Sequence, residues 1–213
     1  MIVVPQPKEK DAHLTLSGVT WQTFKTLLAE IGEDRACRIT YNEEVLEFRM
    51  PLQEHEKPKI LLGSFIEGIA DELEIEVMQL GSWSLKREDL RSFIEPDTCF
   101  YIQNESRVRG RTINLDRDPP PDLAIESDYT HSSINKQSIY AALGIPELWR
   151  YSQRTLFVYH LIANSYQQQE ESLAFPFLPI AEIPDFIEQS DRLGQRSAVR
   201  LFRQRIREIL NEQ

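Results

Sequence analysis

Pro119-Pro120-Pro121-Asp122-Leu123-Ala124-Ile125-Glu126 decides how this chain is read. Three prolines interrupt whatever precedes them, and the apolar run that follows has the length and chemistry of a buried strand. Glu126 stands late in that run, where an acidic side chain is costly unless it is paired or metal-bound. Upstream, Phe93–Ile102 reads as another strand, with Ile94-Glu95-Pro96-Asp97 inside it. Downstream, Ser132 or Ser133 can cap a helix that carries Lys136, runs to about Leu143 and stops at Gly144 with Pro146 beyond.

Outward from this centre, the rest of the chain alternates between the two periods. Trp21, Phe24, Leu27, Leu28 and Ile31 recur at helical steps between Thr20 and Gly32. The segment RITYNEEVLEFRM reads as a hairpin turning around Asn42-Glu43-Glu44 and ending at Pro51. A helix with one apolar face, Ile60 to Leu73, begins near Pro58. Short strands are expected at Ile75–Leu80, Leu148–Tyr151 and Leu156–Ile162, an exposed loop or loosely paired hairpin at Asn104–Asp118, and a basic helical segment at Phe186–Leu210. The expected class is mixed α/β, helices flanking one central sheet. Residues 1–19 read as a polar leader and 20–213 as a single domain.

Composition excludes several classes. With 213 residues, 41% hydrophobic and 27% charged, the chain has the make-up of a folded domain rather than a disordered one. No apolar run reaches the ~20 residues of a membrane span, and the first residues lack a signal-peptide core, so a cytoplasmic protein is expected. Cys37 and Cys99 form neither a CxxC pair nor a disulfide framework. A net charge of −10 disfavours a surface that grips nucleic acid all over, leaving room for a local basic groove on an acidic body.

Asp97 and Glu126 on adjacent strands, with Lys136 on the next helix, supply oxygen ligands for a divalent ion and a positive side chain for a phosphate, the parts that phosphodiester hydrolysis requires. Asp122 shares a strand face with Glu126, but four steps of ~3.3 Å set them ~13 Å apart, too far for one ion. Asp128, two positions beyond Glu126, is a secondary candidate through a water or a second ion.

The stretches Phe93–Asp97, Pro121–Glu126, Ser132–Lys136 and Tyr140–Tyr151, together with Met50–Glu56, resemble the Uma2 family, also called DUF820, regarded as restriction endonuclease-like. The resemblance runs from about Thr20 to Leu210. It implies the PD-(D/E)xK architecture, with Asp97 as first acid and Glu126 as second, both holding Mg²⁺ or Mn²⁺. The lysine expected two places after the second acid is replaced by Asp128, and Lys136 sits where a helix lysine substitutes. The resemblance further implies DNA as substrate, a homodimer, and tuning of the site by His55 or Glu47. The alternative is a non-catalytic relative that binds nucleic acid or a protein partner.

Blander readings accompany these. Asp122 after three prolines suits a turn, His55 a helix start, and Glu47 the outer face of a hairpin. Arg107, Arg109 and Arg111 would make a phosphate-contacting stripe if they lay on a strand, or a solvated loop if not. Ser133-Ile134-Asn135-Lys136 matches S-x-x-K without its companion motifs. Trp149 and Tyr151 read as core, and the arginines after Arg192 as the solvated face of a packed helix whose apolar side is available for a dimer contact.

Overall fold

A computed structural model describes residues 12–32, 35–50, 53–127 and 134–212, with the side chains of residues 12 and 53–56 outside the description. In chain order the elements are β1 (Ala12–Ser17), α1 (Trp21–Ile31), β2 (Arg38–Asn42), β3 (Val45–Met50), α2 (Gln53–Leu73), β4 (Met78–Gln79), β5 (Leu85–Arg87), β6 (Ser92–Ile94), β7 (Thr98–Tyr101), α3 (Glu105–Val108), β8 (Leu123–Ser127), α4 (Lys136–Leu143), β9 (Glu147–Ser152), β10 (Thr155–Ile162), β11 (Ser165–Gln169), α5 (Ile183–Leu193) and α6 (Gln195–Asn211).

The class is mixed α/β, as the sequence implies, but the strands form two sheets rather than one. The first is antiparallel, in the order β1-β3-β2-β6-β5; the second is mixed, in the order β11-β10-β9-β8-β7-β4, with β8 and β9 parallel. The expected strand Phe93–Ile102 is the junction. Its first part is β6 in one sheet and its second part β7 in the other, because Glu95-Pro96-Asp97 leaves the ladder and Pro96 has no N–H to keep it there. The leader also contributes: β1 pairs along β3 from Ala12↔Met50 to Ser17↔Val45.

Three hairpins turn on two residues that both adopt positive φ: Glu43-Glu44, Gln153-Arg154 and Ala163-Asn164. This left-handed pair is what a two-residue loop needs to match strand twist. None of the three uses glycine, which hid the last turn and its strand β11 from sequence reading.

The second sheet is covered on both faces, so its central strands are apolar on both sides. Leu123 and Ile125 join Phe65, Ile69, Val199 and Phe202 in the cluster beneath α2 and α6; Ala124 and Cys99 join Ile139, Tyr140 and Leu143 of α4 on the other face. Asn135 caps α4 and Gly144, at φ 76°, ends it in the left-handed conformation. On the first sheet, α1 packs Phe24 against Ile39, Tyr41, Leu46 and Phe93.

The C-terminal segment is two helices, broken at Gly194 with φ 85°. The apolar side of α6, including Ala198, Val199, Phe202 and Ile206, is buried in the core, so it is not available for a dimer contact. Residues 104–118 contain the short helix α3 rather than a strand: Arg109 pairs with Glu105 at 2.6 Å and Arg111 with Asp118 at 2.8 Å, so the three arginines form no stripe along a strand.

Candidate active site

The ladder of β7 and β8 begins with Thr98 opposite Ile125, and Asp97, just before β7, lies beside the end of β8, bound to Ser127 and close enough for its charge to act on Glu126. On β8, Ala124 packs under α4, and Glu126, two positions on, faces the same way. Glu126 therefore points to the face that α4 covers, and Asp97 stands at the edge of that face.

That helix delivers two groups to Glu126. Lys136, its first residue, places Nζ 3.1 and 3.3 Å from the two carboxylate oxygens, and Tyr140, one turn later on the same side, donates its hydroxyl to Oε1. Asp97 Oδ2 accepts from the Ser127 amide and hydroxyl, both at 2.6 Å, which ties the start of β7 to the end of β8. From the first sheet, Arg49 donates to the Ser127 carbonyl at 3.5 Å. Arg150 of β9 pairs with Glu126 in the parallel register and, like Leu148, faces α4.

The centre is enclosed. Glu126 is 0%, Asp97 4% and Lys136 5% exposed. Burial raises the Glu126 carboxyl pKa above its ordinary value; Lys136 pulls it down, the Asp97 charge raises it, and Tyr140 and Arg49 lower it. Removal from water thus outweighs the ion pair.

The remaining sequence candidates divide. Glu47 is 2% exposed, so it is not the outward residue of a hairpin. With Arg49 it shares the β3 face of Val45, which packs toward α4, while Leu46 and Phe48 face α1. Asp122 is not part of the centre: it accepts from the Ile102 amide at 2.7 Å, the Asn104 amide at 2.9 Å and the Asn104 side chain at 2.6 Å, fixing the turn after β7. Glu95, two residues before Asp97, is likewise committed, to the Ile39 amide at 2.9 Å, Ser84 at 3.1 Å and Arg35. Asp128, Ser132 and Ser133 lie outside the described residues, and His55 is in the first turn of α2 with its side chain outside the description. Trp149 is core, with its indole N–H on Glu147 at 2.6 Å.

Sequence reasoning missed Arg49, Ser127, Tyr140 and Arg150. Two of them carried a readable signal: Tyr140 stands four residues from Lys136 on one helix, and Arg49 two residues from Glu47 on one strand.

Two carboxylates on neighbouring strands suit a hard divalent cation, which takes one or two protein carboxylates and completes its shell with water and substrate oxygens. No group of three or more His, Cys, Asp or Glu side chains placed to hold a metal occurs among the described residues.

A mixed sheet flanked by helices, with an acid from each of two adjacent strands and a lysine over them, is the arrangement of restriction endonuclease-like proteins. The model of the Uma2 family, described as "Putative restriction endonuclease", matches residues 21–190, and the chain belongs to that family. The chain is also similar in fold to a crystal structure of a "putative nuclease belonging to DUF820" from Anabaena variabilis ATCC 29413, with a TM-score of 0.53 and 16% identity over 85% of this chain and 99% of that one. No curated protein matches this chain. Restriction endonuclease-like families generally use divalent metals. No helix among the described residues is long and apolar enough to cross a membrane.

Proposed function

We propose that the chain is a metal-dependent endonuclease that hydrolyses DNA phosphodiester bonds at the Asp97–Glu126–Lys136 centre. The observation that carries this reading is the Lys136 ammonium 3.1 Å from a wholly buried Glu126, with the charge of Asp97, at the entry to the adjoining strand, acting on the same carboxyl. Asp97 and Glu126 would hold Mg²⁺ or Mn²⁺, and a bound ion of that kind supplies Lewis acidity toward a phosphoryl oxygen and lowers the pKa of a bound water. Lys136 brings positive charge to the same place, where it stabilises charge developing on a phosphate. Tyr140 holds Glu126 through Oε1, and Ser127 holds Asp97 through Oδ2, so each carboxylate is oriented before any ligand arrives. The homodimer implied by the resemblance belongs to the same proposal, with its contact elsewhere than the apolar side of α6.

The enclosure of the centre favours a second reading, a non-catalytic relative in which the same groups are a structural ion pair. Nicking of supercoiled plasmid in Mg²⁺ or Mn²⁺ separates the two. The parent nicks, Glu126→Gln does not, and Lys136→Met is slower by ~10²–10³ if the lysine stabilises the transition state. Equal nicking by parent and Glu126→Gln, both folded by circular dichroism, removes the nuclease reading.

A further inference from the structure

A strand at the edge of a sheet offers a row of unpaired N–H and C=O groups, and folded proteins guard such edges with short strands, charges or proline. Of the four sheet edges here, β4 is two residues long, β5 is three long and carries Lys86 and Arg87, and β1 runs on from residues outside the description. The fourth, β11, has no such guard. Ser165-Tyr166-Gln167-Gln168-Gln169 holds no charge and no proline, and Ser165, Gln167 and Gln168 are exposed. Among the described residues no backbone group pairs with its outer side. The edge is held in place from within: β10 pairs along all of it, and the Tyr166 hydroxyl donates to the Ile145 carbonyl at 2.7 Å. Which groups point outward follows from the turn. Ala163 and Asn164, both at positive φ, make a two-residue loop, whose flanking pair Ile162↔Ser165 exchanges hydrogen bonds. Alternation then aims the amides and carbonyls of Ser165, Gln167 and Gln169 at β10 and those of Tyr166 and Gln168 away from it.

We propose that β11 is the contact between two copies of this chain, paired antiparallel about a two-fold axis at Gln167. The proposal rests on the homodimer part of the function proposed above and gives it a surface. In that register Tyr166 of each copy exchanges backbone hydrogen bonds with Gln168 of the other, and the two Gln167 side chains lie opposite each other, amide against amide. The strand is thus complementary to itself. Two chains of net charge −10 repel, so their contact needs a neutral strip, and antiparallel pairing sends Glu170 and Glu171, which follow β11, to opposite ends of the joined strands. Ile162 is 42% exposed beside the small Ser165, and Gln169 of the other copy lies in the same cross-strand row, where its aliphatic stem covers that apolar surface.

Sedimentation equilibrium of the metal-free full chain from ~1 to ~200 µM reads the association. Nicking is not measured, so no outcome here bears on the nuclease part of the proposed function. The parent dimerises in this range. Gln168→Pro removes an outward N–H that the chain's own ladder does not use, which an edge strand tolerates, and raises the dissociation constant about tenfold through the symmetric loss of backbone hydrogen bonds. Gln167→Lys and Gln167→Glu each set like charges opposite one another across the axis and weaken self-association by about tenfold, and mixing the two variants restores a dimer. Thermal melts verify that all three variants fold. A parent that stays monomeric throughout overturns the dimer and its contact together. A dimer unchanged by Gln168→Pro and by both charge variants overturns the contact alone. Charge variants that weaken the dimer but do not recover on mixing overturn the antiparallel register.

Discussion

Replacing Lys136 by methionine tests whether the charges at the end of β8 are coupled as their geometry requires. Lys136 Nζ sits 3.1 and 3.3 Å from the two oxygens of a carboxylate that has no exposed surface. Burial already raises the Glu126 pKa in spite of the lysine, and the lysine is the strongest influence holding it down. Without the ammonium the pKa rises further, and each tenfold gain in proton affinity is worth about 1.4 kcal/mol. Above that raised pKa the carboxylate is buried without its cation, and removing one partner of a buried pair costs about 3–5 kcal/mol. At low pH the carboxyl is protonated and only the change in packing remains.

The sign follows from proton binding. The folded pKa lies above the unfolded value of about 4.3, so between the two the folded state holds a proton that the unfolded state releases, and stability present below the window is lost as pH rises through it. Urea unfolding of the metal-free parent, Lys136→Met, Glu126→Gln and the double variant, at about pH 5 and about pH 8, measures the effect. Lys136→Met loses more at the higher pH, and the double variant recovers ~1–3 kcal/mol relative to the sum of the single losses. An equal loss at both pH values, or additivity within ~0.5 kcal/mol, refutes the coupling.

Two other expectations separate structure from chemistry. Asp122→Ala strips the acceptors from two backbone amides and one side-chain amide, so it costs about 3 kcal/mol in urea unfolding while leaving the metal dependence of nicking unchanged; altered metal dependence would bring Asp122 into the centre. The Cys99 thiol is fully buried and its pKa pushed up to about 12 by burial, whereas Cys37 is half-buried; a thiol-titrating disulfide reagent therefore finds one reactive cysteine in the native protein and two in urea, and two fast thiols in the native state would contradict the packing of β7.

What was legible depended on whether a residue's role was local. Helix α1 with its Thr20 cap, the β2–β3 hairpin and the strands around Glu126 follow from periodicity and turn chemistry in adjacent residues. Asp97, Glu126 and Lys136 were legible because strand alternation and the following helix bring them near one another without distant help. Arg49 reaches the centre only because the first sheet packs its Val45 face toward α4, a contact between segments some ninety residues apart that no local pattern encodes. The two sheets read as one for a related reason: β6 and β7 are separated by three residues, too few for sequence to reveal a change of ladder.

Those three residues also explain why acidic side chains so close together have different roles. Glu95 and Asp97 flank Pro96 and are equally acidic in sequence, and both are buried. Glu95 turns toward the start of β2, where an amide, a hydroxyl and a guanidinium satisfy it locally, and its burial needs no further reason. Asp97 turns toward β8, where its donors come from Ser127 and its charge acts on another carboxylate, whose pKa it raises. Two acids brought together out of water repel, and a fold selected for stability alone would separate them or make one apolar. Under the proposed function a divalent cation would reverse the sign of that repulsion, and the proposal therefore rests on this pair rather than on Glu95 or Asp122.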